Sequence, residues 1–251
     1  MGRVARQISS TGIYHVMHRG VNQQQIMEDK EDYAKFIWIL TDCKSISGFK
    51  LYAYCLMGNH FHLVIKVRNE PIGEIVKRIC ARYARWFNIK YQRVGHLFQD
   101  RFKSEPIENE GSFLRVLRYV HLNPVKAGMV HHPGEYPYSS YNSYMNANRN
   151  TFVDTSPALR LVNRQQFAEF HGYANEDTYL DVDERPLRLT DERAKEIIRK
   201  MSRCASAADF QQLDAQVRND YIRKLRAEGL SIRQINRLTG ISRGVIQRCE
   251  R

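Results

Sequence analysis

Leu56-Met57-Gly58-Asn59-His60-Phe61-His62-Leu63-Val64-Ile65 is a turn running into a strand. Gly58-Asn59 is a turn dipeptide, and Leu63, Val64 and Ile65 are β-formers. Side chains alternate across a strand, so His60 and His62 project from one face and Phe61 from the other. Two imidazoles side by side on a rigid strand make a bidentate platform for a metal ion. Two ordinary histidines on a half-exposed strand give the same pattern. A nucleophile and a nucleic-acid surface elsewhere in the chain would separate the two readings.

On the N-terminal side, Ile13-Tyr14-His15-Val16-Met17-His18 is β-prone and stops at Arg19-Gly20. Residues 32–45 carry Tyr33, Phe36, Ile37 and Leu40 at helical spacing, with Gly48 to end the helix. Residues 49–56 form a second strand, and the histidine strand runs to about Val67. Pro71 opens a helix over residues 72–91, with Ile75, Ile79, Tyr83 and Trp86 as its apolar stripe. Arg78, Arg82 and Arg85 line a separate face with few acidic neighbours in sequence. That row is either a solvated face or a track for a phosphate backbone. Phe98-Gln99-Asp100-Arg101-Phe102-Lys103 leads into a short strand ending at Ile107. A helix follows from Ser112, and Tyr136-Pro137-Tyr138-Ser139-Ser140-Tyr141 is an aromatic edge that packs back. Alternating sheet and helix imply an α/β or α+β domain over residues 1–145. Residues 146–190 read as a helical connector, with an Asn-rich loop, helices over 156–162 and 164–170, and a break at Pro186. Residues 191–251 are helical almost throughout.

The 251 residues carry a formal net charge of +12, which suggests a polyanionic partner, nucleic acid before membrane surface. The charge is +8 over residues 1–145, −2 over 146–220 and +6 over 221–251, so two basic blocks flank a near-neutral one. The five cysteines are scattered, with no Cys-x-x-Cys pair, which fits free thiols in a reducing compartment better than a zinc knuckle or a disulfide framework. Neither a signal peptide nor an apolar run of the ~20 residues a membrane span needs is evident. The expectation is a soluble cytoplasmic protein.

On a helix over residues 112–123, Phe113, Leu117 and Val120 share one arc, the core face. Arg115, Arg118 and Leu122 lie opposite. Tyr119 and Asn123, four apart, stack on one edge beside the core face. Tyr119 is then either a boundary tyrosine with a wet hydroxyl or a nucleophile towards phosphorus. A tyrosine needs help at pH 7, and a divalent metal on the scissile phosphate supplies it. His60 and His62 offer part of the coordination shell, and Asn123, one turn from Tyr119, is placed to complete it. Asn123-Pro124 also reads as an N-cap with a first-turn proline ahead of Gly128.

Residues 228–248 read as a helix-turn-helix. Ser231 caps a helix with Ile232, Ile235 and Leu238 inside, Gly240 makes the turn, and Ser242 caps a second helix anchored by Val245 and Ile246. Arg243, Gln247 and Arg248 then face outward, to read base edges or to serve a packing or dimerisation hairpin.

His60-Phe61-His62, with Tyr119 inside Arg118-Tyr119-Val120-His121-Leu122-Asn123-Pro124-Val125-Lys126-Ala127-Gly128, resembles the single-tyrosine HUH transposases of the IS200/IS605 type. More narrowly it resembles the REP-associated tyrosine transposases. Tyr14-His15-Val16-Met17-His18-Arg19-Gly20, Phe98–Lys103 and Tyr138–Tyr141 strengthen the likeness, which covers residues 8–145. Gly58 stands where many relatives have proline, and Phe98 where many have tryptophan. The resemblance implies an α+β fold: a ferredoxin-like or RRM-like antiparallel sheet with flanking helices, here followed by an all-α C-terminal region. It implies a DNA transposase and endonuclease acting on single-stranded or hairpin (REP-type) DNA through a 5′-phosphotyrosine. Tyr119 would be the nucleophile, and His60, His62 and Asn123 the ligands of Mg2+ or Mn2+. Relatives of this kind are bacterial and act at the nucleoid as monomers or homodimers. His18, Arg19, Arg78, Arg82, Arg85, Arg101 and Lys103 are the expected DNA contacts near the site. The alternatives are a non-catalytic hairpin-binding regulator and a replication or mobilisation nuclease of the wider HUH class.

Overall fold

The computed structural model describes residues 6–146, 152–172, 179–180, 189 and 191–249. It divides into two units, residues 1–26 with 30–184 and residues 27–29 with 185–251.

Unit 1 is built on four antiparallel strands: β1 (Ile13–Arg19), β2 (Lys50–Leu56), β3 (His60–Lys66) and β4 (Lys103–Pro106). Their order, β2-β3-β1-β4, together with helix α1 (Lys30–Ser47) after β1 and α2 (Ile72–Lys90) after β3, is the ferredoxin-like arrangement expected. Period-2 alternation sorts the sheet into two faces. Tyr14, Val16, Phe61, Leu63 and Ile65 are buried on one of them. There the Phe61 ring lies 4.9 Å from Phe36 of α1, which meets Tyr83 of α2 at 5.0 Å. Phe61 is 0% exposed, as its place opposite the two histidines requires.

The other face carries His15, Met17, His60, His62 and Val64, and against it lies α3 (Glu110–Lys126). Asn109 caps α3 by accepting from the Ser112 N–H at 2.8 Å, so the helix starts before Ser112. It also runs through Asn123-Pro124, which do not open a new helix. Pro124 sits in the last turn, and Gly128, at φ +63°, follows the end. The outer side of α3 is covered. Arg118 and Leu122 are each 8% exposed, because α5 (Ser156–Leu161) and α6 (Arg164–Gly172) pack in this unit, after the short helix α4 (Tyr141–Met145). Arg118 donates to the Phe170 carbonyl at 3.4 Å and lies over its ring at 4.1 Å. The segment expected as a connector therefore belongs, as far as Glu184, to the first unit. Its Asn-rich loop beyond Asn146 and the break at Pro186 lie outside the described residues.

The aromatic edge packs back by extending the sheet. Leu56 N–H donates to Tyr138 O at 3.0 Å and Ser140 N–H to Tyr54 O at 2.9 Å, which covers the outer edge of β2.

Unit 2 contains α7 (Asp191–Ser202), α8 (Ala207–Gln212), α9 (Ala215–Ala227), α10 (Ile232–Thr239) and α11 (Arg243–Arg248). Ile198, Phe210, Ile222, Leu225, Ile235 and Ile246 lie in its apolar core. Ser231 and Gln234 form a capping box at the start of α10, and Gly240 at φ +72° turns the chain into α11. Ser242 holds the N-cap position of α11 without a side-chain hydrogen bond. Arg243, Gln247 and Arg248 are exposed. Among the described residues no helix is long and apolar enough to cross a membrane, and all five cysteines are free thiols.

Candidate active site

The register of the strands assembles the site. His62 pairs with Met17 and His60 with Arg19 across β1 and β3, while His15 pairs with Val64 and, on its other side, with Glu105 of β4. Paired residues share a face, so His15, Arg19, His60, His62 and Glu105 all belong to the α3 side. His15 is thus a diagonal neighbour of His62. The two rings stack at 5.2 Å, and His15 Nε2 lies 3.0 Å from His62 Nδ1. The His60 and His62 rings are 5.1 Å apart and nearly perpendicular.

Both histidines are held at Nδ1. For His60 the partner is Asn59 Oδ1 at 2.7 Å; a carboxamide oxygen only accepts, so His60 carries its proton on Nδ1. For His62 the partner is His15. Among the described residues, buried His62 Nε2 has no hydrogen-bond partner. Burial, with His60 and His15 adding repulsion, holds the His62 pKa well below the usual imidazole range. His62 is therefore neutral at pH 7, the form that offers a lone pair to a metal.

Tyr119 projects from α3 into this cluster. Its ring is 5.6 Å from His62 and 5.7 Å from His15, edge-on to both. The site expected from sequence is thus brought together for His60, His62 and Tyr119. Asn123 is engaged within its own helix, where Nδ2 donates to the Tyr119 carbonyl at 3.0 Å. Among the described residues no hydrogen bond joins it to His62, and no three His, Cys, Asp or Glu side chains converge as a ready metal cluster. The amide oxygen of Asn123 is the atom it could offer a cation. Tyr119 is not the wet boundary tyrosine that spacing also allowed. It is 1% exposed, with Tyr179 against it at 5.0 Å and Lys126 Nζ over its ring at 4.7 Å.

The expected DNA contacts divide. Arg19 and Lys103 stand on strand positions of the histidine face, and Arg101 and Arg85 are exposed. His18 is a correction: strand alternation points it into the other face, where it is 7% exposed and stacked on Phe98 at 4.7 Å. It donates from Nε2 to the Gln99 carbonyl at 3.1 Å, and burial lowers its pKa, so it is a neutral core group. The α2 row is a second correction. Arg78 binds Glu70 bidentately at 2.7 and 3.1 Å, and Arg82 meets Asp42 at 2.5 Å. These arginines have acidic partners, and their helix packs across the sheet from the histidines. His15, Asn59, Glu105, Lys126 and Tyr179 were given no site role by spacing alone. His15 stood in the β1 motif, but its value depends on register, which spacing does not supply.

Comparison with known proteins adds four findings. Residues 9–123 match the family model described as "Transposase IS200 like". A putative REP-associated tyrosine transposase of Haemophilus influenzae is 27% identical over 106 residues, which are 38% of this chain and 60% of that protein. The chain thus matches less than two thirds of that relative's length. A REP-associated tyrosine transposase solved bound to a REP hairpin superposes with a TM-score of 0.53 at 16% identity, covering 74% of this chain and 98% of that one, and so shares its fold. A putative transposase of Deinococcus radiodurans covers 47% of this chain and 95% of its own, at 19% identity and a TM-score of 0.36.

Proposed function

We propose that this chain, whose residues 9–123 match the model described as "Transposase IS200 like", cuts and rejoins single-stranded or hairpin DNA of the REP type, with Tyr119 as the nucleophile. The observation that carries the reading is the convergence of Tyr119, 5.6 Å away, on a neutral His62 whose Nε2 is buried without a partner. The donor set fits a divalent ion: His60, His62 and the Asn123 amide oxygen would hold Mg2+ or Mn2+. Bound there, the ion neutralises charge on the scissile phosphate and polarises its phosphoryl oxygen. The Tyr119 hydroxyl forms the new bond to phosphorus and loses its proton. The bond to the 3′ oxygen breaks, leaving a 5′-phosphotyrosine link and a free 3′-OH. Reversal with a second 3′-OH rejoins the strand. α3 holds the tyrosine at the sheet through Phe113, Leu117 and Val120, all buried. Attack requires Tyr119, now 1% exposed, to be uncovered. Arg19, Arg85, Arg101 and Lys103 supply phosphate contacts, and the exposed Arg243, Gln247 and Arg248 of α11 target duplex DNA.

The burial of Tyr119 favours one rival, a regulator that grips hairpins without cutting them. End-labelled hairpin DNA with Mn2+ separates the two. The transposase reading expects cleavage by the wild type and none by Tyr119→Phe. Binding without cleavage in both proteins would favour the regulator.

A further inference from the structure

His62 has two nitrogens, and only one tautomer leaves Nε2 with a lone pair. In that tautomer the proton sits on Nδ1 and is donated to His15 Nε2, 3.0 Å away. His15 must then carry its own proton on Nδ1. That atom lies 3.9 Å from Glu105 Oε2, longer than a hydrogen bond, so what the carboxylate offers a neutral His15 is its negative potential, which favours an N–H on that nitrogen. In the opposite arrangement His15 donates to His62 Nδ1 and His62 presents an N–H to the centre, which cannot bind a cation. A carboxylate only accepts, so Glu105 favours the first arrangement.

We propose that Glu105 and His15 form a relay that sets the tautomer of His62, making His15 a positioning residue for the metal-facing imidazole. The inference rests on the metal-centre reading above and deepens it. Three strands contribute one member each: Glu105 from β4, His15 from β1 and His62 from β3. The sheet register makes Glu105 and His15 a direct cross-strand pair and His15 and His62 a diagonal one, both within side-chain reach. His15 is 0% exposed and stacked flat on His62, so it also restrains that ring's orientation. Histidine ligands are commonly oriented by a carboxylate or carbonyl on their second nitrogen. Here a histidine is interposed, and the carboxylate stands one residue further out. His60 is served differently, by the neutral Asn59 amide at 2.7 Å. The two imidazoles therefore have separate supports, and the Glu105 relay acts on only one.

The test uses the full-length protein and two readouts. In metal-free protein, nitrogen-15 NMR of the histidine side chains reports which His62 nitrogen is protonated. The relay predicts Nδ1–H in the wild type and a shift towards Nε2–H in Glu105→Gln, whose amide can donate to His15. Titration with Mn2+ is the second readout. Oriented second-layer partners typically contribute 10–100-fold to metal affinity. A weakening of about 10-fold is expected for Glu105→Gln and on the order of 100-fold for His15→Phe. Glu105 is a part-exposed strand residue, so its variant keeps the test open if His15→Phe does not fold. Nε2–H on His62 in the wild type, or a tautomer unchanged in Glu105→Gln, would overturn the relay. A wild type with the Nδ1–H tautomer and no Mn2+ binding would instead refute the metal-centre reading and leave the relay standing.

Discussion

Acidification tests how the helical segment after residue 152 is joined to the sheet of unit 1. His121 of α3 and His171 of α6 are both buried, with Nδ1 of the first 3.1 Å from Nε2 of the second. His171 Nδ1 donates to the Phe167 carbonyl at 2.7 Å, so His171 Nε2 accepts from His121 Nδ1 and His121 Nε2 accepts from Ser140 Oγ at 2.8 Å. An extra proton on the pair would have to turn Ser140 Oγ towards the Tyr54 carbonyl, 3.2 Å away, and would place a charge in a buried site. Burial pulls the His171 pKa down from 6.5 to about 4, and burial likewise puts His121 well below 6.5. Both folded-state values are depressed, so the unfolded chain binds more protons once pH falls below 6.5. Their stabilisation is thus full at pH 7 and lost as pH drops from 6.5 towards the folded values. For His171 alone the loss from pH 7 to 4.5 is about 2.5 kcal/mol, and His121 adds to it with the same sign. Carboxylates held below their usual range, such as Glu70, Glu108 and Glu135, lose stabilisation over the same range, but equally in wild type and variant, so they cancel in the comparison. The two tryptophans, Trp38 on α1 and Trp86 on α2, report unit 1 alone, so urea unfolding followed by their fluorescence gives the stability of that unit. His171→Gln keeps hydrogen-bonding capacity without the titration. Its stability should fall between pH 7 and 4.5 by about 2.5 kcal/mol less than the wild type's. Equal slopes in the two proteins would refute the claim that this pair clamps α6 while neutral.

Other outcomes follow from the same geometry. Phe61→Ala removes a fully buried ring between Phe36 and Phe98 and should cost about 3–5 kcal/mol in urea unfolding; a loss below 1 kcal/mol would mean that Phe61 does not anchor the histidine strand. Lys103→Ala and Arg85→Ala should each lower the slope of log binding constant against log salt for single-stranded DNA by about 0.7, whereas Arg78→Ala, held by Glu70, should leave it unchanged. Equal effects of all three would show that the Glu70 pair does not withhold Arg78 from DNA. Gly240→Ala forces a left-handed φ on a residue with a Cβ, and that Cβ would displace the Gln211 amide, so unit 2 should lose about 1–2 kcal/mol while the Trp-reported unit is unaffected. Unchanged melting of unit 2 by circular dichroism would count against the turn geometry.

The strands and helices were legible because each carries a clean period. His60-Phe61-His62 showed which side chains share a face, and residues 72–91 showed a helical stripe. Register was not legible. Nothing in Tyr14-His15-Val16 says that His15 will stand diagonal to His62 and beside Glu105, because the pairing of β1 is set by contacts 41 to 92 residues apart. The same limit explains the arginine row: Asp42, which neutralises Arg82, lies 40 residues earlier and reaches it only when α1 packs on α2. His18 was read as basic surface; alternation sets it opposite Met17, but only the pairing with Phe61 shows that its face is the buried one. The core face of the helix carrying Tyr119 was legible, but what covers Arg118 and Leu122 on its far side was not. The cover comes from Phe167, Phe170 and His171, whose short helices look like linker in isolation.

Mapping the covalent adduct tests the central claim most directly. Wild-type protein incubated with Mn2+ and a 5′-labelled or 3′-labelled hairpin oligonucleotide is digested, and the peptide carrying nucleotide is identified by mass spectrometry. The label 3′ to the break should stay with the protein, the modified residue should be Tyr119, and Tyr119→Phe should form no adduct. An adduct on another residue, or one that persists in Tyr119→Phe, would contradict it.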